Sequence, residues 1–230
     1  MDDGAAGGTR ADRPGRELDD AIEGCAAAHQ RLLADLDSLE DAEVGRPSLL
    51  PGWSVGHVLT HLARNADSQR HVLEAAARGE AAERYPGGSQ QRTGDIEAGA
   101  GRPATALVED VRRTIWRLEA AWPAVPTEGW ELVGTSLGRP EPVAELPFFR
   151  WREVEVHHAD LDRLSFGYDD WSSGYVRREL GRQEMAWAAR RPMGMTALPT
   201  AALALPPARR LAWLLGRQTV EGLEPAGAWQ

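Results

Sequence analysis

The chain has 230 residues and a mass of 25.1 kDa, which fits one large domain or a main domain with a small appendage. Its composition, 42% hydrophobic and 27% charged, is typical of a globular protein, and no stretch approaches the roughly 20 apolar residues of a membrane span. The formal net charge of -9 argues against a nucleic-acid partner, because an acidic surface repels the phosphate backbone. We therefore expect neither a nucleic-acid nor a membrane partner.

The N-terminal third predicts an arm followed by two helices. Residues 1–16 are rich in Gly, Asp and Arg without periodicity, which predicts a mobile arm. Apolar residues recur at helical spacing over 17–39, and Cys25 lies on that apolar face. After a turn rich in Pro and Gly, Ser54 is a candidate N-cap for a second helix that ends near residue 77.

The middle of the chain predicts a loop and two more helices. Residues 80–101 are rich in Gly, Gln and charge, which predicts a long functional loop or a flexible crossover. Residues 103–122 carry a third apolar helical face that begins with a proline. Residues 127–141 predict a short extended excursion, and residues 142–162 a fourth helix. Four helices with one long crossover are typical of a bundle.

The pattern changes after residue 165. Asp170 is a candidate cap for a helix that ends near residue 190, residues 193–205 suggest short extended pieces, and Pro206 with Pro207 begins a last helix. We therefore expect an α+β, mainly α fold, with an arm over 1–16, a helical bundle over 17–165 and a small C-terminal α/β domain over 166–230.

The fourth predicted helix carries a polar pair on its inward face. With about 100° of rotation per residue, Glu153 and His157 fall on one line of the helix, whereas Glu155 and His158 point away from it. A buried carboxylate and imidazole four residues apart are costly unless they are paired or bound to an ion. An intrahelical hydrogen bond between them is the alternative to a metal site.

The second predicted helix offers a further candidate ligand. His57 and His61 are four residues apart, and His61 lies closer to the apolar edge. With Glu153 and His157 it would give two nitrogens and one carboxylate, a three-ligand set that leaves the fourth tetrahedral position open as in catalytic zinc sites. A solvated or hydrogen-bonded core histidine is the alternative for each imidazole.

Four segments, in this order along the chain, resemble the mycothiol-dependent maleylpyruvate isomerases and their relatives. They are LLPGWSVGHVLTHLARNAD (49–67), QQRTGDIEAG (90–99), FFRWREVEVHHADLD (148–162) and AWLLGRQ (212–218). The resemblance implies a DinB-like four-helix bundle followed by a small C-terminal domain. It spans nearly the whole chain.

The resemblance also implies roles for individual residues. The divalent metal ligands would be His61, Glu153 and His157, the set that the helix geometry selects, and zinc is the expected ion although other divalent metals suit these ligands. Arg92 and Arg217 match arginines implicated in substrate handling or catalysis. A solvated loop charge at Arg92 and a helix-end cation at Arg217 are the alternatives.

The chemistry implied is the cis-trans isomerisation of maleylpyruvate to fumarylpyruvate. A metal-bound thiolate of mycothiol would add to the alkene, so that the bond rotates before the thiolate leaves again, and the two arginines would hold the dicarboxylate substrate. Cys25 would not supply this thiol, because it lies on an apolar helix face with no activating neighbour in sequence.

Two other functions compete with the isomerase. The same metal and thiol could conjugate another electrophile, as relatives that resemble thiol transferases do, or the scaffold could serve a non-catalytic binding protein. The complete ligand set argues against the last. Nucleotide, serine-hydrolase and thioredoxin-type functions lack their motifs in this sequence. One cysteine, which excludes an internal disulfide, and opening residues without a signal-peptide core favour the cytoplasm.

Overall fold

The computed structural model describes residues 13–163, 165–190 and 196–226. Most of the predicted N-terminal arm, residues 1–12, lies outside these ranges, and the first helix begins at Arg13, before the predicted arm ends. None of the helices in the described ranges combines the length and apolar character that a membrane span requires.

The described residues are mainly helical with one two-stranded antiparallel sheet. The α+β, mainly α class predicted from the sequence is therefore confirmed. In chain order the elements are α1 (Arg13–Leu36), α2 (Asp41–Val44), α3 (Val55–Ala76), α4 (Gly88–Ala100), α5 (Ala104–Ala121), α6 (Thr127–Trp130), β1 (Val133–Ser136), β2 (Arg139–Pro142), α7 (Leu146–Asp160), α8 (Ser173–Ala188), α9 (Thr200–Leu203) and α10 (Pro207–Leu214).

Four long helices, α1, α3, α5 and α7, form a bundle in which α1 packs against α7 and α3 against α5. Each helix buries the apolar stripe that its sequence periodicity predicts. The fully buried side chains of this core include Cys25, Leu32, Leu59, Leu62, Leu73, Leu107, Val111, Leu118, Leu146 and Val154. The bundle is thus held together by one continuous apolar core.

Helix α3 begins and ends where the sequence predicts. The backbone N–H of His57 donates to the Ser54 side chain, and the Ser54 backbone N–H donates back to the His57 ring in a capping box. Gly79 follows the helix with φ of 77°, a left-handed conformation that glycine adopts without steric cost. These two signals place His61 within the second turn of the helix.

The prediction of a long loop over 80–101 is wrong for its second half, which forms helix α4. Its glycines and polar residues leave no apolar stripe to recognise, and only Ile96 and Ala100 are buried. Helix α4 instead packs closely against α3, and this packing stabilises it. The two helices are so close that a Cβ at Gly56 would lie 2.0 Å from the Ala100 carbonyl oxygen. The close approach places Arg92 of α4 beside α3.

The predicted extended excursion is a β-hairpin. Strands β1 and β2 pair from Val133 with Pro142 to Ser136 with Arg139, and the intervening residues Leu137 and Gly138 both have positive φ. Two such residues are the signature of a hairpin turn whose twist matches that of the strands. The sheet lies ahead of α7, within the range predicted for the bundle.

The C-terminal region differs from the predicted α/β domain, because its described residues 165–190 and 196–226 contain helices and no strand. Residues 193–195 of the predicted extended segment lie outside the described ranges, and residues 200–203 are helical. Pro199 of this segment precedes α9, and Pro206 with Pro207 begins α10 as the sequence predicts. Leu211 and Leu215 join the core of the bundle, whereas Trp213 packs in a second, smaller cluster. The domain boundary near residue 165 stays a prediction.

Candidate metal centre

Helices α3 and α7 bring three potential metal ligands together. His61 lies on α3 and Glu153 and His157 on α7, and one ligand atom from each lies within 4.8 Å of the other two. Glu153 Oε2 is 2.8 Å from His61 Nε2 and 3.4 Å from His157 Nε2. The four-residue spacing of Glu153 and His157 therefore presents both side chains to the same histidine of the neighbouring helix.

His57, the other histidine of the HVLTH segment, lies outside this cluster. Its Nδ1 is 2.8 Å from Ser54 Oγ and its Nε2 is 3.2 Å from Glu97 Oε2, so its ring faces the helix N-terminus. The expectation that His61, and not His57, lies toward the apolar side of the helix agrees with this geometry. His61 is 3% exposed, which makes it the inward residue of the two.

The titration behaviour of His61 and Glu153 suits metal ligation. Burial lowers the pKa of His61 to about 4, against the opposing effect of its hydrogen bond to Glu153, so this imidazole is neutral at pH 7. Burial by itself would raise the pKa of Glu153, but hydrogen bonds with His157 and His61 outweigh it and hold that pKa well below its usual range. A neutral imidazole and an ionised carboxylate are the forms that bind a divalent cation.

Each histidine of the cluster has a charged partner on its other ring nitrogen. His157 Nδ1 lies 2.8 Å from Asp160 Oδ2, and Arg92 Nη2 lies 3.1 Å from His61 Nδ1. Burial would lower the pKa of His157, yet its hydrogen bonds to Asp160 and Glu153 dominate and raise it. The ring of His157 is thus held by a carboxylate and the ring of His61 by a guanidinium.

A pocket of about 290 Å³ opens over the cluster. Apolar side chains of the segment before α3 form one wall, and Arg92 and Arg217 contribute charge. The residues that line it are Leu50, Pro51, Trp53, His61, Arg92, Glu153, His157 and Arg217. The five residues predicted as metal ligands or substrate-binding arginines therefore line one pocket.

Arg217 reaches the pocket from the chain that follows α10. The Tyr168 hydroxyl donates to the Arg217 carbonyl oxygen, and the Arg217 backbone N–H donates to the Ala212 carbonyl oxygen. Its Nε lies 3.0 Å from Asp160 Oδ1. The helix-end position predicted for this arginine thus brings it to the C-terminal end of α7.

The predictions from the sequence assign no role to the apolar wall or to Asp160. Trp53 is the more informative omission, because its ring centroid lies 5.5 Å from that of His61. The sequence carries a signal for this wall. The apolar LLPGW run lies just ahead of a histidine-bearing helix, yet it has no helical periodicity of its own that would assign it to a helix face. Leu49 N–H of this segment donates to the carbonyl of Asp160, the last residue of α7, and the preceding Arg46 donates to the carbonyl of Asp162, just beyond that helix.

The outward side of α7 is not solvent, which corrects the expectation that Glu155 and His158 simply point away. Both are buried, because α1 and α8 cover that side of the helix. Glu155 Oε1 accepts hydrogen bonds from Arg31, Trp151 and Ser172. His158 pairs with Asp35 at 3.2 Å, so neither residue belongs to the metal cluster.

Cys25 is fully buried in the core of the bundle and does not line the pocket. Burial raises the pKa of its thiol far above the usual range, and its Sγ lies 3.8 Å from His29 Nε2. A thiol that stays protonated is a poor nucleophile. The geometry agrees with the expectation that this cysteine packs rather than reacts.

The fold and the cluster define a helical-bundle protein with a candidate metal centre between two of its helices, and comparison with known proteins is consistent with this class. The family model described as the mycothiol maleylpyruvate isomerase N-terminal domain matches residues 25–162, and the chain belongs to this family. A comparison with curated proteins gives no significant match.

Two solved structures share the fold, DinB-like bundle included. One is described as the crystal structure of the mycothiol-dependent maleylpyruvate isomerase, and the other as that of a histidine-to-alanine mutant of it. Each matches with a TM-score of 0.79 and 21% sequence identity, over 92% of this chain and 97% of the other. The similarity covers the C-terminal region as well as the bundle.

Proposed function

We propose that this chain catalyses the mycothiol-dependent cis-trans isomerisation of maleylpyruvate to fumarylpyruvate. One observation carries the proposal: two imidazoles, one carboxylate and two arginines line a single pocket in a chain of the isomerase family. The imidazole and carboxylate groups suit a divalent cation, and the guanidinium groups suit a dicarboxylate.

His61, Glu153 and His157 would hold the cation, with Zn²⁺ as the first expectation. Their donor atoms are the types that zinc prefers, and three protein ligands leave a position open for an exogenous group. When bound, the ion would supply the charge that ionises a thiol at neutral pH. Other divalent ions of the first transition row fit the same donors.

Mycothiol would supply the thiol, and its reversible addition to the alkene is what allows rotation about the former double bond. The chain's own thiol cannot replace it, because Cys25 is fully buried and does not line the pocket. Leu50, Pro51 and Trp53 would exclude water from the reacting carbons, which protects the thiolate from solvent.

Arg92 and Arg217 would bind the two carboxylates of the substrate and stabilise the enolate charge that develops during addition. A guanidinium pairs a carboxylate through two parallel hydrogen bonds, which fixes orientation as well as charge. The arginines come from α4 and from the chain after α10, two elements outside the four bundle helices. The substrate would therefore lie between these elements and the metal cluster.

The proposal is tested by incubating the purified protein with Zn²⁺, mycothiol and maleylpyruvate and following the cis and trans isomers by NMR. We expect turnover that requires both the metal and the thiol, and that returns the thiol unchanged. Glu153→Gln should abolish it. The matched control is Glu97→Gln, a carboxylate that contacts the non-ligand histidine His57, and it should retain turnover.

The competing functions give different results in the same assay. Stoichiometric loss of mycothiol into a conjugate would identify an S-transferase and refute the isomerase. A protein that binds the metal but changes neither substrate nor thiol would be a binding protein. Isomerisation that persists in Glu153→Gln would remove the cluster from the reaction.

A further inference from the structure

We propose that Asp160 is the positioning residue of the metal centre, a buried carboxylate that fixes the ring of His157 and the side chain of Arg217 at the same time. The inference rests on the proposed metal centre. It is carried by one juxtaposition: Asp160 Oδ2 lies 2.8 Å from His157 Nδ1, and Asp160 Oδ1 lies 3.0 Å from Arg217 Nε.

Asp160 is the last residue of α7 and is fully buried. It lies three residues after His157, so the helix itself presents its carboxylate to that ring. Its own carbonyl oxygen accepts the backbone N–H of Leu49, which ties the segment before α3 to the same point. Three separate parts of the chain thus meet at this residue.

The hydrogen bond to Asp160 selects the tautomer of His157. A carboxylate accepts and does not donate, so the proton of a neutral His157 stays on Nδ1 and the lone pair on Nε2. Nε2 is the atom that faces Glu153 in the cluster. A histidine oriented in this way is ready to donate its lone pair to a cation, and loss of such a partner typically weakens metal binding by about 10- to 100-fold.

The contact with Arg217 makes the carboxylate difficult to replace by an amide. Both neighbours of Asp160 are donors, and each contacts a different oxygen at its shortest distance. An asparagine offers one oxygen and one NH₂ group, so it turns its NH₂ either toward Arg217 Nε or toward His157 Nδ1. The second orientation forces the proton of His157 onto Nε2, where it opposes metal binding.

Metal affinity therefore tests the inference without relying on turnover. We expect Asp160→Asn to bind Zn²⁺ about 10- to 100-fold more weakly than the parent in competition with a chromogenic chelator. The visible spectrum of the Co²⁺-loaded protein should change as well. Asp35→Asn is the matched control, because Asp35 pairs with His158 on the same helix, and it should leave both measurements unchanged.

A double-mutant cycle separates tautomer control from general support of the fold. In an Arg217→Ala background the asparagine oxygen is free to turn toward His157, so Asp160→Asn should cost a smaller factor in Zn²⁺ affinity there than in the parent. Equal losses in the two backgrounds, or no loss in the parent background, would overturn the inference while leaving the metal centre intact. A parent protein that binds no metal would overturn both.

Asp160→Glu provides a second variant in case the asparagine protein does not fold, as judged by circular dichroism of the metal-free protein. It keeps two acceptor oxygens but moves them by one methylene, so we expect a change in the Co²⁺ spectrum and an affinity between those of Asp160→Asn and the parent. An unchanged spectrum together with parental affinity would contradict a positioning role for Asp160.

Discussion

Truncation of Arg92 is the most direct test of how the pocket would recognise an anionic substrate. The side chain is half-buried on α4, with Nη2 3.1 Å from His61 Nδ1 and its guanidinium 5.7 Å from the Tyr85 ring centroid. Because it lines an open pocket, Arg92→Ala leaves no closed cavity in the core. The substitution should therefore weaken the interaction with the substrate and leave the stability of the fold nearly unchanged.

The magnitude follows from the loss of a charge-assisted pair. A hydrogen bond to a charged group contributes about 1.5–3 kcal/mol. Since each 1.36 kcal/mol is a factor of ten in rate, Arg92→Ala should lower kcat/KM for the dicarboxylate by about 13- to 160-fold. Arg92→Lys keeps the charge without the two-pronged geometry, so we expect it to lie between Arg92→Ala and the parent.

The assay is steady-state isomerisation with the metal content and Tm of every variant measured beside it. Arg78→Ala is the matched control, because Arg78 is a surface arginine on the chain after α3 that pairs with Glu80 and does not line the pocket. We expect it to behave as the parent does. If Arg92→Ala and Arg78→Ala share the parental kcat/KM, Arg92 does not bind the substrate. A loss of metal in Arg92→Ala would instead assign its effect to the contact with His61.

Three further predictions follow from buried groups. Replacement of His61 or His157 by alanine should remove the bound divalent ion, measured by elemental analysis, and full retention in both variants would refute the ligand assignment. Cys25→Ala should leave turnover nearly unchanged with a modest loss of stability, so inactivity of a folded Cys25→Ala protein would contradict an external thiol. Burial lowers the pKa of His29 to about 4, against about 6.5 in the unfolded chain, so the unfolded state binds more protons between these values and stability falls as the pH drops from 6.5 to 4. At 1.36 kcal/mol per pH unit the loss reaches about 3 kcal/mol, and urea unfolding of His29→Gln should show a flatter pH dependence by that amount.

Helical periodicity was sufficient to predict the bundle and the inward direction of the cluster, because both depend on a local repeat. The 100° step that places Leu146 and Leu161 in the core also selects Glu153 and His157. Helical periodicity gave the wrong prediction for the outer side of α7, where the side chain of Glu155 is as buried as those of the apolar core. A helical wheel shows which residues share a face, but it does not show that α8 covers the opposite one.

The segments without periodicity were the difficult ones, and the clearest case is the helix that carries Arg92 to the pocket. Helix α4 has no apolar stripe, and its position depends on the missing Cβ of Gly56 on another helix. No pattern within residues 80–101 contains that information. The sequence could therefore suggest Arg92 through family resemblance alone, whereas its distance from His61 required the three-dimensional structure.

Arg217 lies far from the candidate metal ligands in the sequence, but in the fold Asp160 connects it to His157. Its side chain is 9% exposed and contacts Asp160, the carboxylate that also contacts His157, so the arginine would belong to the proposed support of that histidine. We therefore expect a variant at Arg217 to alter metal affinity and anion binding together, and a variant at Arg92 to alter mainly anion binding. The two arginines are alike in charge, yet Arg217 reaches its histidine through an intervening carboxylate and Arg92 does so directly. For this reason their variants are expected to differ in metal affinity even where they lose the same substrate interaction.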